Sequence, residues 1–258
     1  MYQKHYFTTE DIERTSMMLS KYKKEYKKNG IVVIPNVFTE EECVKMKEEA
    51  YRVRDKDITK AGYPHQPSEQ AYNKRSLIFF PALANEYLNK IRTDERMVKI
   101  ARYFIDDDIK QINNQIYFRE AGDQDQFAWH KDIIFREPRN FNHDVVGDYF
   151  QTIIAVDDIT EDNGAIEFIP KSWDTPLDAP KNLRVFNRNG LEGSKLTCKR
   201  GSVLIWGVDI IHGSEPNTSD SDRMTYMNGW CRSKATRTYP DYLIGGKVVE
   251  KINPRQLP

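Results

Sequence analysis

The sequence is poor in cysteine, in net charge and in long apolar runs. Three cysteines, Cys43, Cys198 and Cys231, are scattered among 258 residues, and an odd, distant set specifies no disulfide framework. No C-x-x-C pair occurs, which removes the usual thiolate zinc sites. Each cysteine reads as a small buried hydrophobe. Lys+Arg and Asp+Glu number 39 each. A balanced chain lacks the basic excess that non-specific binding to nucleic acid or to an anionic membrane requires. No segment approaches the ~20 apolar residues of a membrane helix. The first 13 residues hold no apolar signal core, so the sequon Asn217-Thr218-Ser219 has no expected use. These absences predict a cytoplasmic protein whose partner is a small molecule rather than nucleic acid or membrane. No pattern specifies an oligomeric state.

What is present divides into two grammars. From Thr9 to Lys28, Ile12, Leu19, Tyr22 and Tyr26 recur on one helical face, with a lysine-rich face opposite. Asn29-Gly30 ends that helix. Ile31 to Ile34 reads as a short strand between Gly30 and Pro35. Thr39 and Glu42 form a capping box, opening a helix that should bury Cys43, Met46, Ala50 and Val53. A loop-rich stretch follows from Asp55 to Pro81, and a third helical pattern runs from about Leu83 to Phe104. After Asp106 the period falls to two. Gln111 to Arg119 alternates, with Ile112, Ile116 and Phe118 on one face and Gln111, Asn113, Gln115, Tyr117 and Arg119 on the other. Phe150–Ile159, Ala165–Pro170, Leu196–Cys198, Ser202–His212 and Arg223–Arg232 also read as strands. The expectation is a mainly β protein with flanking helices (α+β), a sandwich or barrel. It is read as one domain over 1–258, helical to about 105 and β-rich from about 106 to 235.

Chemistry concentrates at three places. His130-Lys131-Asp132 is an H-x-D pattern in a strand-like segment, Phe127 to Phe135, where residues i and i+2 share a face. Asp fills 21 of 258 positions, so five histidines yield about 0.4 H-x-D pairs by chance, and the motif alone is weak. His212 ends an apolar strand, Val203 to Ile211. Two histidines and one carboxylate leave three coordination positions open, which suits non-haem Fe(II). Arg223 begins the next strand after a turn-rich loop, and a hairpin would return it towards the metal. A guanidinium there can grip a carboxylate through two hydrogen bonds. A hydrogen-bonded core histidine and a surface ion pair remain the plain alternatives.

With these residues in place the chain resembles the phytanoyl-CoA dioxygenase-like family of Fe(II)/2-oxoglutarate oxygenases. The matching stretches are Trp129-His130-Lys131-Asp132, Ala155-Val156-Asp157-Asp158, Asn163-Gly164-Ala165-Ile166, Pro170-Lys171-Ser172-Trp173, and Gly201 to Trp206 through His212-Gly213-Ser214 to Arg223. The resemblance implies a double-stranded β-helix, the cupin-like jelly roll. It implies Fe(II) on His130, Asp132 and His212, 2-oxoglutarate paired with Arg223 and assisted by Ser214, and O₂ as oxidant. Gln151 is a further candidate for co-substrate contact. Two departures stand out: Lys131 where the family usually has Gln, and Trp173 where its Pro-Gly-Ser-His run usually ends. The implied activity is hydroxylation of a small molecule coupled to conversion of 2-oxoglutarate to succinate and CO₂. Desaturation or cyclisation by the same oxidant, a silent jelly-roll binding protein, and a zinc hydrolase are the rival readings. Arg136, Arg139 and His143, in the segment after the H-x-D pattern, are candidate contacts for an anionic substrate.

Overall fold

The computed structural model describes residues 9–55, 76–135, 149–175, 192–235, 243–244 and 247–248. Helix α1 (Thr9–Asn29) keeps Lys21, Lys24, Lys27 and Lys28 exposed and packs Leu19, Tyr22 and Tyr26 inward. Gly30, at φ 79°, stops it. Helix α2 (Glu40–Asp55) starts on the expected capping box. Glu42 N–H donates to Thr39 Oγ1 at 3.2 Å, and Thr39 N–H donates to Glu42 Oε2 at 2.8 Å. The Glu42 carboxylate also takes two hydrogen bonds from Arg96, which hold it below its ordinary pKa. One box thus caps α2 and ties it to a distant helix. Cys43, Met46, Ala50 and Val53 are buried as read.

The third helical pattern resolves into two helices, α3 (Glu86–Arg92) and α4 (Glu95–Ile105). Asp94 divides them. Its carboxylate accepts from Arg96 N–H at 2.9 Å while its own backbone is extended. A strong N-cap side chain in mid-pattern outweighs a continuing apolar stripe.

The strands of the two main sheets are β1 (Ile31–Ile34), β2 (Leu77–Phe79), β3 (Ile109–Arg119), β4 (Phe127–His130), β5 (Tyr149–Ala155), β6 (Ile166–Phe168), β7 (Ser194–Lys195), β8 (Val203–Gly207), β9 (His212–Ser214) and β10 (Arg223–Arg232), and a separate pair joins β11 (Leu243–Ile244) to β12 (Lys247–Val248). The main sheets are an antiparallel six-stranded one, β1-β8-β5-β10-β3-β2, facing a four-stranded one, β4-β9-β6-β7. This is the jelly roll the resemblance implied. Period-two alternation gives the large sheet two faces. Ile116, Phe118, Phe150, Ile154, Val203, Ile205, Met224 and Tyr226 pack against the helices. Ile153, Leu204, Trp206 and Met227 face the small sheet.

Two expected strands are interrupted. In β3 the register against β10 shifts between Gly229 and Trp230, so Gly229 pairs with Asn113 and Trp230 with Gln111. The extra residue is Ile112, and such a bulge reverses the facing of everything beyond it. Ile112 therefore packs with Tyr149, Val208 and Cys231, away from Ile116 and Phe118. Gln111 leaves the cavity face and bonds to Arg92 and Asn228. Likewise Ser202–His212 is not one strand. It breaks after Gly207 and crosses from the large sheet to the small one.

Among the described residues no helix is long and apolar enough to cross a membrane. None of the three cysteines forms a disulfide, and Cys43 and Cys231 are fully buried. Asn217 of the sequon is buried, its amide donating to the carbonyls of Arg119, Glu120 and Ser221.

Gly201 joins the N-terminal segment to the sheet. Its carbonyl accepts from Val37 and Phe38, its φ is 79°, and an added Cβ would lie 2.1 Å from Phe38 O. Gly201→Ala must therefore adopt left-handed backbone and displace main chain. We expect a loss of at least about 2 kcal/mol in chemical denaturation. An unchanged midpoint would contradict this account of the junction.

Candidate active site

The site begins where β4 ends. His130 is its last residue, and Asp132 opens a short 3₁₀ turn, Asp132–Phe135, instead of continuing the strand as the alternation suggested. The turn is pinned by Ile133 N–H donating to Val208 O at 2.9 Å. His212 starts β9 and pairs directly with His130. The Asp132 carboxylate faces both rings, with Oδ1 3.6 Å from His130 Nε2 and Oδ2 3.8 Å from His212 Nε2. These are too long for hydrogen bonds. They suit three donors directed at one small cation, and all three ligand atoms lie within 4.8 Å of one another.

The surroundings prepare each donor. His130 Nδ1 faces Ala128 O at 2.7 Å and His212 Nδ1 faces Ile210 O at 2.9 Å. A carbonyl can only accept, so each Nδ1 donates to it and each Nε2 is turned towards Asp132. His212 is buried against Phe168 and Trp206. Burial, reinforced by nearby His130, pulls its pKa down to about 4, which keeps the ring neutral. Trp206 Nε1–H donates to Asp132 Oδ2 at 3.0 Å. Trp206 closes the matching stretch from Gly201, but that match gave it no role. The available signal was its alternation in Val203–Gly207, which turns it to the inner face.

Arg223 is the first residue of β10 and is 3% exposed. It does not arrive by a hairpin, because β9 pairs with β4 and β6 while β10 pairs with β3 and β5. The loop instead carries the chain back to the large sheet. The guanidinium donates to the main-chain carbonyls of Asn163 and Gly164. Among the described residues no carboxylate lies within ion-pair distance of it. Burial, with Arg119 nearby, pulls it down from its ordinary pKa to about 9. An anion at this point would relieve that cost.

A cavity of about 470 Å³ between the sheets holds all six candidate residues, His130, Asp132, His212, Arg223, Ser214 and Gln151. Ser214 lies two residues past His212, and its Oγ accepts from Arg119 Nη2 at 2.6 Å. Gln151 pairs with Trp206 and with Gly229, six residues along β10 from Arg223. It therefore stands well along the sheet from the guanidinium rather than beside it. Its Nε2 donates to Tyr149 Oη, while its Oε1 is buried without a partner. Gly229 makes room there, since a Cβ would lie 2.8 Å from both Asn113 Cβ and Gln151 Oε1. The polar face of β3 lines the cavity through Asn113, Gln115, Tyr117 and Arg119. Lys131 turns away and donates to Trp173 O and Thr175 O. The two departures from the family pattern thus touch each other outside the cavity. His5, His65, Arg136, Arg139 and His143 lie outside the described residues.

A model of the family described as phytanoyl-CoA dioxygenase matches residues 26–225. The chain belongs to the phytanoyl-CoA dioxygenase family. A probable alpha-ketoglutarate-dependent hypophosphite dioxygenase of Stutzerimonas stutzeri is 23% identical over 239 residues, covering 84% of this chain and 80% of that protein. Among solved structures, EctD from S. alaskensis with 2-oxoglutarate and 5-hydroxyectoine superposes with a TM-score of 0.70 at 16% identity, over 92% of this chain and 81% of that one. The epimerase SnoN, in complex with Fe3+, alpha ketoglutarate and nogalamycin RO, gives 0.67 at 16% identity, over 84% of each chain. These structural likenesses establish the jelly roll. The phytanoyl-CoA dioxygenase family in turn accounts for the order of the matched stretches along the sequence.

The indole hydrogen bond is the most exposed element of this arrangement to test. Trp206→Phe keeps an aromatic ring and removes the N–H to Asp132 together with part of the buried indole volume. Metal affinity, read by anaerobic Fe(II) titration, is expected to fall about tenfold with the fold retained. Unchanged affinity would mean that the indole does not hold the carboxylate in place.

Proposed function

We propose that this protein is an Fe(II)- and 2-oxoglutarate-dependent dioxygenase that hydroxylates a carbon of a small-molecule substrate. The observation that carries the reading is the pairing of two features in one cavity. Two imidazole Nε2 atoms and a carboxylate converge at one place, and a buried guanidinium that has no carboxylate partner among the described residues waits further along. His130, Asp132 and His212 are the residues to hold the metal. Their donor set, two nitrogens and one oxygen on one side, is that of non-haem Fe(II) sites with open positions. Bound iron supplies the activation of O₂ and the oxidative decarboxylation of 2-oxoglutarate to succinate and CO₂.

The remaining work falls to this chain's own groups. Arg223 gives the co-substrate's distal carboxylate a charge-assisted anchor, and Ser214 stands beside that anchor. Trp206 and the two backbone carbonyls fix the ligand orientations, so no reorganisation is needed when the metal binds. The aromatic wall of Phe168 and Trp206 keeps water from the metal side. Asp132 fills the position that a halide would need, which favours hydroxylation over halogenation. Gln151 is assigned to a co-substrate or substrate contact away from Arg223, by its place opposite Gly229. The substrate is a small molecule held within the cavity, and the protein is read as cytoplasmic. We also infer one domain over 1–258. The pairing of β1 with β8 supports this, because it makes the N-terminal region part of the large sheet.

The test is succinate formation from 2-oxoglutarate under Fe(II) and O₂. Asp132→Ala is expected to abolish it and to lower Fe(II) affinity. Arg223→Gln is expected to raise KM for 2-oxoglutarate about 10- to 100-fold while leaving Fe(II) binding intact. Succinate formed by Asp132→Ala at the parent rate would refute the ligand assignment.

A further inference from the structure

Arg119 has no place in the account so far, yet it is as buried as Arg223, both at 3% exposure. The two are directly paired across β3 and β10, and both side chains line the cavity. Paired residues on one face of a sheet have Cβ atoms about 5 Å apart, and like charges so placed repel. The structure does little to offset this. Arg119 donates to Ser214 Oγ and to the carbonyls of Asp125 and Glu215. The carboxylate within ion-pair distance is Asp123, at 3.6 Å. Near Arg223, Asp157 is already engaged by Lys47 at 2.8 Å and lies 3.7 Å from Arg200. Two donor groups beside this pair are buried and unpartnered, Arg119 Nε and Thr225 Oγ1, and Thr225 also lines the cavity.

Two adjacent guanidiniums, an orphaned N–H and an orphaned hydroxyl at one end of a cavity specify an anion with several acceptor positions. Building on the proposed 2-oxoglutarate reaction, we propose that Arg119 is a second cationic contact for the distal carboxylate of the 2-oxo acid, sharing it with Arg223. Ser214 follows from the same geometry. Arg119 already donates to its oxygen, so its own hydrogen is free to point to the carboxylate. The end near Arg223 is therefore the place for the distal carboxylate. The amide end, at Asn113 and Gln151, lies about 20 Å away along the strand at 3.4 Å per residue and is left to other groups.

The experiment compares two ligands of equal chain length. The Fe(II)-loaded protein is titrated anaerobically by calorimetry with 2-oxoglutarate and with 2-oxopentanoate, which lacks the distal carboxylate. The parent should prefer 2-oxoglutarate strongly. Arg119→Gln should weaken 2-oxoglutarate about 10- to 100-fold and leave 2-oxopentanoate within about twofold. Arg119→Lys keeps the charge without the fork, so it should fall between the two. Unchanged 2-oxoglutarate affinity in Arg119→Gln would overturn the proposal and leave Arg119 to an anionic substrate or to support. Equal loss of both acids would also overturn it, since that is the mark of a purely structural role. Where Arg119→Gln does not retain iron, Arg119→Lys decides, and parity with the parent for both acids would overturn the assignment. A parent that binds neither acid would instead sink the 2-oxoglutarate reading itself, which keeps the two failures apart.

Discussion

The arrangement depends on where one carboxylate is held. Asp132 faces two imidazoles that belong to paired strands, and nothing on those strands alone would keep it there. The 3₁₀ turn lifts it off the line of β4, a main-chain bond from Ile133 to Val208 anchors the turn, and the Trp206 indole fixes one oxygen. Trp206 and Val208 flank the point where the chain leaves the large sheet, four residues before His212 joins the small one. The metal donors therefore meet at the seam between the two packed sheets, where the cavity lies.

The same seam explains the charge distribution. Burying a guanidinium is costly unless its hydrogens are met and its charge answered. Arg223 meets the first condition with the carbonyls of Asn163 and Gly164, supplied by the turn before β6. The second condition is left to a ligand. A site prepared in this way binds its anion with little rearrangement, because the donors are already aimed. Zero net charge over the whole chain conceals a local positive excess at one end of one cavity.

Much of this was legible in the residues, and the parts that were not have identifiable causes. His130, Asp132, His212 and Arg223 were readable because ligand chemistry restricts residue type and because strand ends place them. The Thr39–Glu42 box and the buried stripe from Cys43 to Val53 were readable because local hydrogen bonds and helical period decide them. The division of α3 from α4 was missed because the capping strength of Asp94 competes with an apolar period that ignores it. The bulge at Ile112 was invisible because it arises from pairing with Gly229, far away in sequence. The crossing between β8 and β9 was hidden for a similar reason: an unbroken apolar run from Val203 to Ile211 carries no mark of which sheet it serves. Arg119 and Trp206 read as ordinary alternating strand residues, and only the facing sheet gives them partners.

X-ray absorption of the Fe(II)-loaded protein, before and after anaerobic addition of 2-oxoglutarate, tests the central claim most directly. The account predicts two imidazole nitrogens and one carboxylate oxygen as protein ligands, with two positions changing from water to the 2-oxo acid. A metal with a different protein donor set, or one whose coordination is unaltered by the co-substrate, would contradict it.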